Sequence, residues 1–348
     1  MKSVLLMSLS ACVLLVSLAV TAGLAGCKPE TPSGASVPAG KYIGFVGVGA
    51  DDPLWQVLRA GAERFPSEPG HLAVRFFTPQ TASPQEQVRL LRGLVGDLNL
   101  KGLCVQVSDP EALQGVLGEM AVHGVSVVSM VRDVPEAYRT VFCGVDEGAL
   151  GRALAEAAAE AADGEGNVMV LVSDLDDPAY GRRLEAFRDA IRLEPDIHVL
   201  GYVECQADGV AARRELREGS RRFPSLEVWV MLDNWAFRGW DEAEPLVGAG
   251  CRLIAVDPLP EVCKYLESGL CFALVGGVYG DIGYEAMRNC RLAIGSPRLV
   301  KLEFLVPAMI VRASELEEYR AQWRLWTRPV AGSRPELEPK GSAQNREP

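Results

Sequence analysis

Histidine is scarce: the 348 residues contain three, His71, His123 and His198, far apart and away from the cysteines. That argues against a zinc site, which draws on clustered His and Cys. It also leaves no base beside a candidate serine. Gly-x-Ser-x-Gly is absent, as is a phosphate loop ending in Gly-Lys-Ser/Thr. Gly47-Val48-Gly49-Ala50 follows an apolar run, but the third glycine of a dinucleotide fingerprint is missing. The chain therefore reads as a binding protein, not an enzyme, with no cofactor and no metal. Basic residues are also in deficit. Lys and Arg number 35 against 46 Asp and Glu, a formal charge of −11. An acidic body argues against nucleic acid and against electrostatic docking on anionic lipid. No Cys-x-x-Cys occurs. Seven cysteines follow Cys27, at 104, 143, 205, 251, 263, 271 and 290, and an odd count leaves at least one thiol unpaired. Cys104 and Cys143 lie in apolar runs, so buried free thiols are expected rather than a disulfide framework. Beyond the N-terminus no stretch approaches the roughly 18 uninterrupted apolar residues of a membrane span.

The N-terminus holds a long apolar stretch. Lys2 is its one charge, residues 4–25 are apolar with small residues mixed in, and Leu24-Ala25-Gly26-Cys27 closes it. A basic start, an apolar middle and a small-residue cut site make a secretory signal over residues 1–26. The tetrapeptide resembles the bacterial lipobox. That implies lipidation of Cys27 (diacylglyceryl, then an amine-linked acyl chain such as palmitate) and a membrane anchor in the cell envelope. Residues 27–40 are rich in Pro, Gly and Ser and read as a tether holding the body outside the cytoplasm. Losing Lys2 with the signal takes the charge from −11 to −12.

From Lys41 onward strands and helices alternate. A buried strand over 41–48 precedes a helix over 54–65 and a strand over 72–77. Ser83, Pro84 and Glu86 cap a helix running to Leu98. A strand over 102–107, a helix from Asp109-Pro110 to His123 and a strand over 125–130 follow. Strands at 140–144, 167–172, 197–204, 227–231, 252–256 and 271–275 then alternate with helices at 147–162, 179–193, 209–222, 238–249, 260–268 and 280–294. A strand-like run over 301–311 and a helix to Trp326 end the pattern, and residues 327–348 read as a disordered tail. Apolar strands flanked by helices mean parallel sheets covered on both faces. There are too many strands for one sheet, so two doubly wound α/β lobes are expected.

Six segments, in order, resemble a known family. They are Val46 to Trp55, Gly124 to Asp133, Val141 to Asp146, Arg183-Leu-Glu-Ala-Phe187, Cys251 to Pro260 and Tyr279-Gly-Asp-Ile-Gly283. They resemble the type I periplasmic substrate-binding proteins of the ribose, galactose and xylose branch, the solute receptors of ABC sugar importers. The resemblance implies two parallel-sheet lobes joined by a three-strand hinge. The lobes would be residues 41–143 plus 278–300 and residues 144–277 plus 301–326. It implies a monomer that closes on a sugar or related small polar molecule and hands it to an ABC permease. A sensory lipoprotein showing its ligand to a membrane receptor remains the alternative reading, as does a non-sugar or lost ligand.

A buried sugar needs bidentate polar groups at its rim and aromatic rings on its faces. The resemblance assigns these roles to residues just after strands. Asp52 is either a hydroxyl acceptor or a helix cap, and Trp55 would stack on a ring face. Arg132 and Arg183 would fork to hydroxyls, although Arg182 leaves the second register open. Asp233 or Asn234 would bond a hydroxyl, with Trp235 beside them, and Asp257 would accept from the ligand. The chain also departs from the family pattern. Val131 replaces the Asp before the cleft arginine, Gly277 stands at the last hinge, and Gln206-Ala-Asp208 lacks the second-lobe aromatic. Asp174, Asp176 and Asp177 lack the glycine and distal glutamate of a calcium loop and read as solvated.

Overall fold

The computed structural model describes residues 40–66, 72–242, 244–296 and 300–329. The expected signal, the lipidated Cys27, most of the tether and residues 330–348 of the tail lie outside them. From Lys41 on the chain forms one unit.

The sequence writes four helix starts in the same way, an Asp or Ser followed by Pro. Asp52, Ser83, Asp109 and Asp177 each cap a helix whose first residue is proline: α1 (Pro53–Glu63), α2 (Pro84–Arg92), α3 (Pro110–Val122) and α5 (Pro178–Ile191). The cap oxygen takes an orphan backbone N–H, and proline has none to satisfy. Asp146 and Asp208 cap α4 (Glu147–Ala161) and α6 (Gly209–Arg222) in the same manner.

Among the described residues twelve strands form two sheets of six. The first sheet runs in the order β11 (Glu303–Val306), β5 (Val141–Val145), β4 (Ser126–Met130), β3 (Leu100–Gln106), β1 (Tyr42–Val46) and β2 (Ala73–Phe77). All its pairs are parallel. The second runs β12 (Ala308–Arg312), β10 (Cys271–Gly277), β9 (Arg252–Val256), β8 (Leu226–Met231), β6 (Gly166–Val172) and β7 (Ile197–Glu204). Only the β12–β10 pair in it is antiparallel. Strands such as β1 and β5 are buried at every position, as sheets covered on both faces require.

The chain passes between the sheets three times, after β5, after β10 and between β11 and β12. The passages hold one another: the Asp146 N–H donates to the Val306 carbonyl at 3.0 Å and the Val278 N–H to the Pro307 carbonyl at 3.1 Å. Gly277 lies so close to Val145 that a Cβ there would sit 2.4 Å from its Cγ2. After β10, α8 (Ile282–Gly295) packs back on β3, β4 and β5 of the first sheet. The last helix, α9 (Leu316–Trp326), touches α1, β12 and α7 (Cys263–Glu267).

Four expectations fail at element scale. The run over 301–311 is not one strand. Proline 307 breaks it, and its halves join different sheets. The helix over 238–249 is absent: a 3₁₀ turn at Trp235–Phe237 leads into irregular chain with Gly239 and Gly250 at φ +64° and +82° and Pro245 between. Helix α2 stops at Arg92 instead of Leu98, because Gly96 takes φ +78°, and Leu98 is 84% exposed. The helix over 260–268 shrinks to α7. All seven described cysteines are free, and six are buried. Burial pushes the thiol pKa of Cys205, Cys251 and Cys263 up to about 11 in each case.

Helices α1 and α8 meet through glycine. A Cβ on Gly283 would lie 1.9 Å from the Leu58 carbonyl oxygen, a backbone atom that cannot swing away. Gly283→Ala should therefore destabilise the fold by about 2 kcal/mol, although alanine favours the helix. Gly115→Ala, on α3 with nothing within 4 Å of its Cβ position, should stabilise by about 0.5–1 kcal/mol. Urea denaturation of the pair checks the sign reversal.

Candidate functional site

Parallel strands end together, so each sheet sets its loops along one edge, where open α/β sheets bind ligands. In the first lobe a buried glutamine organises that edge. Gln87, on α2, donates from its amide to the carbonyls of Gly47 at 2.9 Å and Gln106 at 2.7 Å. Its amide oxygen accepts from the Ser108 N–H and hydroxyl at 3.1 and 2.6 Å. The ends of β1 and β3 are thereby fixed. Gln106 in turn donates to Asp52 Oδ1 at 3.0 Å. The same oxygen caps α1 by accepting from the Trp55 N–H at 2.7 Å. Of the two roles open to Asp52, the cap is thus made, and Oδ2 stands outside these bonds.

Trp55 does not reach the cleft. It is 1% exposed and packs at 5.6 Å from the Phe45 ring and 6.3 Å from Phe76. The first turn of α1 points it under the sheet, where burying its area outweighs any stacking role. The expectation of a ring face there is corrected.

The ends of β4 and β9 share one conformation. Val131 follows β4 at φ +70°, and Asp257 follows β9 at φ +61°. The Val131 N–H donates across to Cys143, and the Asp257 N–H to Val275. For a β-branched residue this is a true outlier. Such backbone costs on the order of 1–3 kcal/mol and gathers at ligand clamps. It turns Arg132 towards the second lobe. One guanidinium nitrogen donates to the Ser108 carbonyl at 2.9 Å, the other to Asp177 Oδ2 at 2.9 Å. The second bond is an ion pair between the lobes. Asp177 also caps α5.

In the second lobe Arg183 is 8% exposed. Its Nε donates to Glu147 at 2.8 Å, a terminal nitrogen lies 2.7 Å from the same carboxylate, and the other donates to the Leu232 carbonyl. Burial works most strongly against the Arg183 charge, but Glu147, Tyr180 and Asp257 together outweigh it, so the guanidinium pKa rises. Burial raises the Glu147 pKa, and Arg183 pulls it back. Asp233 is 9% exposed. Its Oδ1 accepts from the Trp235 N–H at 2.8 Å, and its Oδ2 is buried without a hydrogen bond. The Ser173 and Tyr180 hydroxyls stand near enough to lower its pKa, yet neither has bonding geometry to Oδ2. Burial dominates and leaves the Asp233 pKa raised. Asn234 is buried beside it. Trp235 is half-buried, with the Arg238 guanidinium 3.8 Å over its ring. Asp257 is half-buried and accepts from the hydroxyl of Tyr279. Burial raises its pKa, Tyr279, Arg183 and Arg238 lower it, and Asp52 of the other lobe raises it further.

The structure thus sets Asp52, Arg132, Arg183, Asp233, Asn234, Trp235 and Asp257 at the facing edges and leaves Trp55 in the core. The sequence reading missed Gln87, Gln106, Glu147, Asp177, Tyr180 and Ser173. Glu147 follows directly on the Val-Gly-x-Asp segment, and Asp177-Pro178 carried a cap signal, but nothing local gave their partners. The acidic loop is only partly solvated: Asp174 and Asp176 are bonded to each other at the surface, whereas Asp177 faces Arg132. Among the described residues no group of three or more His, Cys, Asp or Glu could hold a metal ion. No described helix is long and apolar enough to cross a membrane.

This arrangement defines a class, two α/β lobes whose polar strand-end loops are joined by the Arg132–Asp177 pair. The periplasmic binding protein domain model matches residues 43–295. The chain belongs to that family. A comparison with curated protein sequences found no match. Solved structures share the fold at low identity. The arabinose-binding protein AraP of Geobacillus stearothermophilus has a TM-score of 0.69 at 17% identity, covering 81% of this chain and 99% of its own. A sugar-binding protein of a sugar ABC transporter from Bacillus halodurans gives 0.68 at 19%, covering 80% and 99%. The glucose-galactose binding protein GanP of G. stearothermophilus gives 0.66 at 20%, covering 80% and 99%.

The raised pKa of Asp233 has a consequence for stability. A carboxylate whose folded pKa exceeds its unfolded one binds more protons in the folded state, so its contribution is present at low pH and lost as pH rises through the folded value. Asp233→Asn keeps an acceptor for the Trp235 N–H and carries no charge. It should raise the melting temperature at pH 8 by several degrees and leave it nearly unchanged at pH 4, as read by calorimetry at both pH values.

Proposed function

We propose that this chain is the solute receptor of an ABC importer, held in the cell envelope by lipid on Cys27. It captures a small hydroxylated molecule of sugar type between its lobes and delivers it to a permease. The observation that carries this is the gathering of polar side chains at the strand ends of the two lobes. Asp52 and Arg132 come from one lobe, Asp233, Trp235 and Asp257 from the other, and the Arg132–Asp177 pair spans the gap. Three hydrogen-bonded passages are a hinge on which the lobes could close, and the ligand would favour closure by contacts made only in that state. The family supports the reading, as do the sugar-binding proteins of the same fold. The body is a monomer outside the cytoplasm, with residues 27–40 as its tether.

Melting temperature against pentoses, hexoses and polyols tests it. A ligand at about 100 times its dissociation constant adds about 2.7 kcal/mol, a clear upward shift. Asp257→Ala should remove the shift while the chain stays folded. No shift with any polyhydroxylated compound would end the sugar-receptor reading. In cells an alkyne fatty acid should label the wild type and not Cys27→Ser. Equal labelling of both would end the anchor.

A further inference from the structure

One hydrogen bond joins the hinge to the strand ends of the second lobe. Asp257, which follows β9 at φ +61°, accepts on Oδ1 from the hydroxyl of Tyr279. Tyr279 opens the 3₁₀ turn Tyr279–Asp281, with only Val278 between it and β10. Its side chain is 2% exposed and runs back along the end of that strand. A Cβ on Gly276 would stand 3.1 Å from the hydroxyl oxygen, and one on Gly277 would stand 3.1 Å from ring carbon Cε1. The two glycines leave the lane through which the hydroxyl reaches the acid.

The turn itself is held from the first lobe. It packs on α1. Arg64, at the C-terminal end of α1, donates to the Gly280 carbonyl and lies 3.6 Å from the Asp281 carboxylate. Helix α8 starts directly after the turn and packs on the first sheet. The first lobe thus carries the phenol, and the second carries the acid it bonds. Asp257 Oδ2 stands outside this bond, and the residue is half-buried rather than sealed.

We propose that Tyr279 is a positioning residue for ligand capture: its hydroxyl holds Asp257 Oδ1 from across the hinge and leaves Oδ2 as the acceptor for a ligand hydroxyl. This rests on the solute-receptor reading and adds the group that sets its acceptor. A donor on a buried carboxylate favours the charged form, which is the stronger acceptor. Burial works against the Asp257 charge, and Tyr279 is foremost among the groups that support it. Arg183 and Arg238 support it as well, and Asp52 opposes it. Glu147 and Tyr319 also stand within reach of its charge. Without the phenol hydroxyl, Asp257 takes up its proton at a higher pH, and capture fails there too.

Tyr279→Phe keeps the ring over the glycines and removes only the donor. Carboxyl-carbon NMR of the ligand-free chain, titrated between pH 4 and pH 8, reads Asp257, assigned by its absence in Asp257→Asn. The midpoint should rise by about one pH unit in Tyr279→Phe. Fluorotyrosine at position 279, a more acidic donor in the same ring, should move it the other way, so the test does not depend on one variant folding. Calorimetric titration with D-glucose, D-galactose, L-arabinose, D-xylose and D-ribose then reads capture. Affinity for a compound that binds should fall on acidification with the Asp257 midpoint. Tyr279→Phe should bind up to about tenfold more weakly than the wild type on the acid side and approach it at pH 8. An unmoved midpoint would overturn the inference and leave the receptor reading intact. So would a loss in Tyr279→Phe that is equal at every pH, or no loss at all. If none of the five sugars binds the wild type, both readings fall.

Discussion

The second lobe depends on one buried cation. Arg183 leaves the first turns of α5, bonds the carboxylate that opens α4, and caps the carbonyl that follows β8. Two helices and a strand end are thus fixed by a single planar group. A point-charge lysine could not fork to both partners. Removing one partner of such a pair leaves an uncompensated buried charge and costs about 3–5 kcal/mol. The pair is therefore less a source of net stability than a constraint on where the strand ends stand. The Leu232 carbonyl it holds directly precedes Asp233, and burial raises the pKa of both Asp233 and Asp257 while Arg183 lowers it.

The first lobe ties the ends of β1 and β3 with a buried amide instead of an arginine. Gln87 uses both its donor protons and its acceptor oxygen to tie the ends of β1 and β3, and Gln106 passes the order on to Asp52. The two edges then differ in kind: amides and one carboxylate on one side, acids around an arginine on the other. The Arg132–Asp177 pair joins them. It is 42% exposed on the arginine side, so in solvent it holds little energy. A contact that weak suits a boundary that must open and reclose.

Much of the body was legible in advance because its signals are local. The Ser83-Pro84 and Asp109-Pro110 steps announced two helix starts, and fully apolar runs announced strands covered on both faces. The failures are local conflicts settled elsewhere. Residues 238–249 carry helical spacing, but Gly239, Pro245 and Gly250 set the backbone. The run around Pro307 is apolar throughout, and only the hinge decided that its halves belong to different sheets. Trp55 sat at the right offset from Asp52 for a ring in the cleft, but the turn of α1 aimed it at Phe45 and Phe76.

By itself the sequence determined the alternation of elements, the two-lobe class and the strand ends at which polar residues gather. These follow from period, caps and apolar runs, each read within about one element's length. Tertiary structure alone decided the pairings that give those residues their chemistry. Glu147 and Arg183 lie 36 residues apart in the chain, Arg132 and Asp177 45 apart. Which groups at the strand ends are paired is a property of distance in the folded chain, not of separation along it.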